Sequence, residues 1–134
     1  MLQRLRDTAA GPRPSRCRPG DEARRRGSRV RSVTVKLVVL YTQPSDPEAF
    51  DRHYFGTHMP LVSGIPGLER TETGKIGAAV DGGEQTYYRV TELYFAHQKA
   101  LQAGFASSEG QTTAADYQEI APPGSRMFVA SVDG

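Results

Sequence analysis

The chain of 134 residues has no tryptophan, a single cysteine and no apolar run near the roughly 20 residues that a membrane-spanning helix needs. Each shortage excludes something. With Cys17 alone, no intrachain disulfide can form, so a secreted, disulfide-stapled scaffold is ruled out and a reducing cytoplasm is the expected location. The missing apolar run argues against a membrane partner, and the first residues offer no stretch resembling a signal peptide. Acidic side chains are scarce in residues 1–32, where ten arginines face only Asp7, Asp21 and Glu22. That segment carries a balance of +7, and residues 33–134 carry −5, so the net +2 conceals two segments of opposite sign. Residues 1–32 also lack the apolar side chains that offset the entropy of ordering, and are read as a disordered basic arm. An arm of this kind can attract phosphate. With no aromatic residue interleaved for stacking, and an acidic domain behind it, nucleic acid is not the expected partner.

One domain is therefore expected over residues 33–134. It opens on VTVKLVVLY, a β-branched run of strand length that ends at Gln43-Pro44. Ser45-Asp46-Pro47-Glu48 then supplies a capping side chain, a proline suited to the first helical position and an acid near the positive helix end. The helix it starts is expected to break or kink near Met59-Pro60 and to end by Ile65-Pro66-Gly67. Residues 68–76 and 86–95 read as a hairpin around the glycine-rich tip GAAVDGGEQ. Residues 97–121 read as helix, with a second piece starting at Ser107-Ser108 and a stop at Pro122-Pro123. RMFVASV is the last strand.

The order strand, helix, strand, strand, helix, strand is that of an α+β, ferredoxin-like βαββαβ fold. Its two helices cover one face of a four-stranded antiparallel sheet and leave the other bare. Alternation puts Val35, Leu37, Val39, Phe128 and Ala130 on one side, and Val38, Leu40, Met127 and Val129 on the other. An apolar face on each side calls for a second copy packed sheet to sheet, so a homodimer is expected.

The stretch FDRHYFGTHMPL carries the candidate chemistry. At about 100° per residue, Phe50, Leu61, Tyr54 and His58 fall within about 80° of one another on a helix. His58 therefore points inward, with the negative helix end favouring its cation and burial favouring the neutral ring, a balance that suits a general acid or base. His53 lies at the edge of that stripe, without the four-residue spacing at which two imidazoles share a metal, so no metal site is expected. Tyr54 or Tyr88 is the expected hydrogen-bond donor to an enolate or carbonyl oxygen. Glu92 is a candidate acid if buried and an ordinary surface carboxylate if not. Asp116, beside Tyr117, reads as a local cap or pair.

KLVVLY, DPEAFDRHYFGTHMPLV, IPGL and YYRVTELYF, with Asp116 behind them, together resemble the EthD family of the dimeric α/β-barrel superfamily. The resemblance spans nearly all of residues 33–134, and Tyr54 stands where a tryptophan is more usual. It implies a ferredoxin-like protomer, two sheets joined into a barrel, and a small-molecule pocket between sheet and helices. Family members are linked to ethyl tert-butyl ether degradation, and superfamily relatives include lactone isomerases, polyketide cyclases and decarboxylases that need no cofactor. The expectation is a cofactor-free acid/base protein acting on a small oxygenated compound. His58, His53 and Tyr54 would carry the chemistry, with Phe50, Leu61, Tyr88 and Glu92 lining the pocket. The alternative is a binding or accessory protein of a degradation pathway that uses the same pocket without catalysis.

Overall fold

The computed structural model describes residues 33–133, so the expected basic arm and Cys17 lie outside the described residues. Four strands, β1 (Val35–Thr42), β2 (Leu68–Lys75), β3 (Tyr87–Phe95) and β4 (Arg126–Ser131), form one antiparallel sheet in the order β2-β3-β1-β4. This is the expected ferredoxin-like order, with β1 and β3 inside and β2 and β4 at the edges. Among the described residues no helix is long and apolar enough to cross a membrane.

Helix α1 (Pro47–His53) starts as its sequence implies, with the Asp46 carboxylate accepting from the Ala49 N–H at 3.2 Å. Of the break or kink expected near Met59-Pro60, the break does not occur. A π turn over Tyr54–His58 carries the chain straight into α2 (Met59–Ser63), the Met59 N–H reaching back five residues to the Tyr54 carbonyl. A proline in an α-turn presses its ring on the carbonyl four residues earlier, here Gly56, and the wider turn makes that room. It also corrects the phase. On an α-helix, four-residue steps drift by about 40° each. With one wide turn inserted, Phe50, Tyr54, His58 and Val62 all stay buried against the sheet. Leu61, expected on that stripe, is only half-buried and gives its place to Val62.

Helices α3 (Gln98–Ala106) and α4 (Ser108–Ile120) meet at the expected second start, where the Ser107 hydroxyl accepts from the Gly110 N–H at 3.0 Å. They cross very closely. A β-carbon on Gly110 would stand 2.1 Å from the Gly104 carbonyl oxygen, so only glycine permits the crossing that brings α4 over the sheet.

The register corrects the expected phase of the last strand. Leu37 faces Val129 and Val39 faces Met127, so those pairs share the helix-covered side. Val38 pairs with Phe128 and Lys36 with Ala130 on the open side. Both faces of β1 remain largely apolar, and Phe128 is 41% exposed on the bare one. Under the helices the core divides in two. One part gathers Val35, Val62, Ile65, Leu93, Phe95 and Leu101, and the other gathers Val39, Tyr41, Phe50, Tyr54 and Tyr88.

Candidate active site

A cavity of about 510 Å³ lies at the seam of the two core clusters, with Leu93, Leu101 and Val62 from one and Val39 and Tyr41 from the other in its wall. His58 lines it, as do Thr91, Thr113 and Tyr117. Among the described residues, no lysine, arginine, aspartate or glutamate does. The space is apolar, with a few hydroxyls, the amides of Gln102 and Gln118 and one imidazole, the composition expected of a site for a neutral small molecule.

His58 is 4% exposed and sits at the end of the π turn. Its Nδ1 lies 2.8 Å from Asp116 Oδ2 and its Nε2 lies 3.4 Å from the Tyr41 hydroxyl. A carboxylate can only accept, so Nδ1 carries the proton and donates it to Asp116. Nε2 is left with its lone pair, facing Tyr41. Burial lowers the pKa of His58, and it stays lowered although the hydrogen bond and charge of Asp116 pull it upward. The ring is therefore neutral and basic near neutral pH. Burial pushes the Tyr41 phenol far up, so Tyr41 keeps its proton and donates it to Nε2.

Asp116 serves two imidazoles. His53 Nε2 lies 2.8 and 3.0 Å from its two oxygens. Burial alone would raise the Asp116 pKa, but the hydrogen bonds from His53 and His58 outweigh it and hold the carboxyl below its ordinary value. Asp116 thus does not pair locally on α4. It reaches across to the helix that precedes β2 and ties the two histidines together, although they lie far apart on an α-helical wheel. Among the described residues, no group of three or more His, Cys, Asp or Glu is placed to hold a metal.

The remaining expected site residues fall elsewhere. Tyr54 is fully buried beside His58, with ring centroids 5.9 Å apart, but its hydroxyl is taken by Thr73 and Thr91. Phe50 packs on Tyr41, Tyr54 and Tyr88 and lies behind the cavity wall. Tyr88 leaves the alternation of β3 at a register shift opposite Tyr41-Thr42, and its hydroxyl donates to Asp51. Glu92 lies on the open side, paired with Lys36 at 3.2 Å. With half-buried Leu61, none of these lines the cavity. Tyr41, Val62 and Thr91 are not among the expected site residues, and Asp116 is expected only as a local cap or pair. Tyr41 was legible in principle, since it continues the Val35, Leu37, Val39 alternation to the strand's end.

A ferredoxin-like domain with a buried His–Asp pair opening on an apolar cavity is the class that fold and site define. The EthD domain model matches residues 42–123, and the chain belongs to the EthD family. It is 39% identical over 93 residues to an uncharacterized 11.0 kDa protein of Rhodococcus erythropolis, encoded in the thcB-thcC intergenic region, covering 69% of this chain and 89% of that one. An ethyl tert-butyl ether (EthD) family protein from Bacillus halodurans superposes with a TM-score of 0.70 at 33% identity, over 75% of this chain and 99% of that one. A dimeric ferredoxin-like protein from Thermobifida fusca shares the fold alone, with a TM-score of 0.59 at 10% identity, over 75% of this chain and 92% of that one.

Proposed function

We propose that the cavity takes a neutral, oxygenated small molecule and that His58 removes a proton from it as a general base, without a cofactor. The observation that carries this reading is the 2.8 Å bond from His58 Nδ1 to Asp116, which leaves Nε2 unprotonated at the wall of an apolar cavity, with the Tyr41 hydroxyl 3.4 Å away. A base held neutral by burial can accept a proton near neutral pH. Once protonated, the imidazolium is stabilised by the carboxylate already in contact with Nδ1, and Tyr41 holds the ring from the other side. Isomerisation and cyclisation of a carbonyl compound both use such a step. We place the protein in the cytoplasm as a homodimer, joined through the bare sheet face that exposes Phe128 beside Val38 and Leu40.

The test is solvent deuterium exchange into small enolisable ketones, followed by mass spectrometry. The wild-type protein exchanges the hydrogens next to the carbonyl, and His58→Gln does not. A protein that binds the ketones and returns them unlabelled is a binder only, and the catalytic reading fails.

A further inference from the structure

Arg89 is a buried cation that the proposed chemistry leaves unused. It stands on the helix-covered side of β3, between Tyr41 and Lys75 in the sheet register, and is 6% exposed. Among the described residues no carboxylate pairs with it, and its Nε has no hydrogen-bond partner. Its guanidinium carbon lies 5.0 Å from the centre of the Tyr54 ring and 4.9 Å from that of Phe55. Two aromatic faces stabilise a buried cation less than a carboxylate would. A charge kept in such a place calls for a use.

Its one side-chain hydrogen bond among the described residues shows where the charge leads. Arg89 Nη1 donates to the Thr73 hydroxyl at 3.1 Å. Thr73, Tyr54 and Thr91 form a triangle of hydroxyls, Thr73 to Tyr54 at 2.8 Å, Tyr54 to Thr91 shorter still, and Thr73 to Thr91 at 3.3 Å. A guanidinium only donates, so Thr73 accepts from Arg89; of the two directions open to the three hydroxyls, we take the one in which Thr73 passes its own proton to Tyr54. Tyr54 then donates to Thr91. The proton of Thr91 comes last and has only the longest side of the triangle, back to Thr73, to occupy it. Thr91 is also the member of the triangle that lines the cavity with His58 and Tyr41.

We propose that Thr91 donates a hydrogen bond to the carbonyl oxygen of the ligand, and that Arg89 is its positioning residue, acting through Thr73 and Tyr54. The proposal rests on the general-base reading of His58 and gives it a direction. As the proton leaves the carbon beside the carbonyl for His58 Nε2, the C–H electron pair becomes the new C=C bond and the carbonyl π pair moves onto oxygen. The Thr91 hydroxyl meets that growing negative charge, with a cation behind it, and the proton returns from the imidazolium to complete the cycle. The substrate class is therefore a neutral, enolisable carbonyl compound. An anionic one finds no cationic side chain in the cavity wall and a carboxylate behind His58.

The test uses two probes of similar shape, acetophenone, which has a carbonyl, and ethylbenzene, which has none. Calorimetry on the full chain gives their affinities, and infrared difference spectra of ¹³C-labelled acetophenone give its carbonyl stretch. Thr91→Val is expected to weaken acetophenone about fivefold to tenfold, the loss of one hydrogen bond, with ethylbenzene unchanged. The carbonyl band should rise in the same variant, and Thr91→Ser should restore both affinity and band. Arg89→Lys, which keeps charge but not the fork, should raise the band partway. Circular dichroism melts identify any variant that fails to fold, and Thr91→Val, nearly isosteric, decides if Arg89→Lys does. If Thr91→Val leaves the acetophenone affinity and band unmoved, or weakens both probes equally, the inference is overturned while the role of His58 stands. If neither probe binds the wild-type protein, the small-molecule reading itself falls.

Discussion

The two histidines of the first helical segment bond to the same carboxylate from positions five residues apart, yet their surroundings differ. The His58 side chain is 5% exposed and that of His53 38%. Only His58 lines the cavity, and its Nε2 faces Tyr41, whereas His53 uses Nε2 on Asp116 and meets solvent with the rest of its ring. A shared partner therefore does not imply a shared role. Burial makes one imidazole a neutral base, and the other acts as a brace that keeps Asp116 ionised and in place.

The largest expected effect separates them by rate. In whatever proton transfer the wild-type protein performs, His58→Gln should cost about a hundredfold or more, the usual contribution of a general base. His53→Gln should cost only a few-fold, because Asp116 still holds Nδ1 of His58. Rates of deuterium exchange into a ketone measure both. Equal losses would mean that the two rings act as one unit and would break the comparison.

A second, smaller difference is expected in stability. Asp116→Ala leaves the buried Nδ1–H of His58 without an acceptor, which costs about 1–3 kcal/mol. His53→Ala removes a partly exposed pair, worth about 0–1 kcal/mol. Urea unfolding of the two variants beside the wild-type protein gives both numbers. A His53→Ala loss as large as that of Asp116→Ala would show that the brace, rather than the buried bond, holds the site together.

These contrasts explain why the fold was more legible than the site. Strand order, the Asp46 cap and the second start at Ser107 follow from local chemistry, and each appears where its residues are. His58 was placed inward by a wheel that assumes α geometry throughout, and it remains inward because a single wide turn moves it little. Three residues further along the same assumption fails, and Val62 takes the position assigned to Leu61. Nothing in FDRHYFGTHMPL distinguishes a π turn from a kink at Pro60 beyond the proline that suits either. Asp116 was misplaced for a different reason. Its partners lie 58 and 63 residues away, and only the Gly104–Gly110 crossing of α3 and α4 brings it to them. The phase of β4 was equally beyond the sequence, since RMFVAS is apolar on both alternations and only pairing with β1 decides which side is which.

The finest test of the comparison is pH. A histidine whose pKa is lower in the folded protein than its ordinary 6.5 binds a proton more readily when the chain is unfolded. Its contribution to stability is thus complete above 6.5 and is lost as the pH falls from there through the folded-state value. The lowered pKa of Asp116 acts in the same sense further down, complete above its ordinary 3.8 and lost as acid protonates the folded carboxyl. Urea midpoints from about pH 8 to about pH 2 should therefore decline in two stages. In His58→Gln the upper stage should vanish and the lower one remain. In His53→Gln the upper stage should persist but move slightly upward, because the charge of His53 is one of the influences that lower His58. An upper stage that disappears with His53 and survives the loss of His58 would reverse the roles assigned to the two rings.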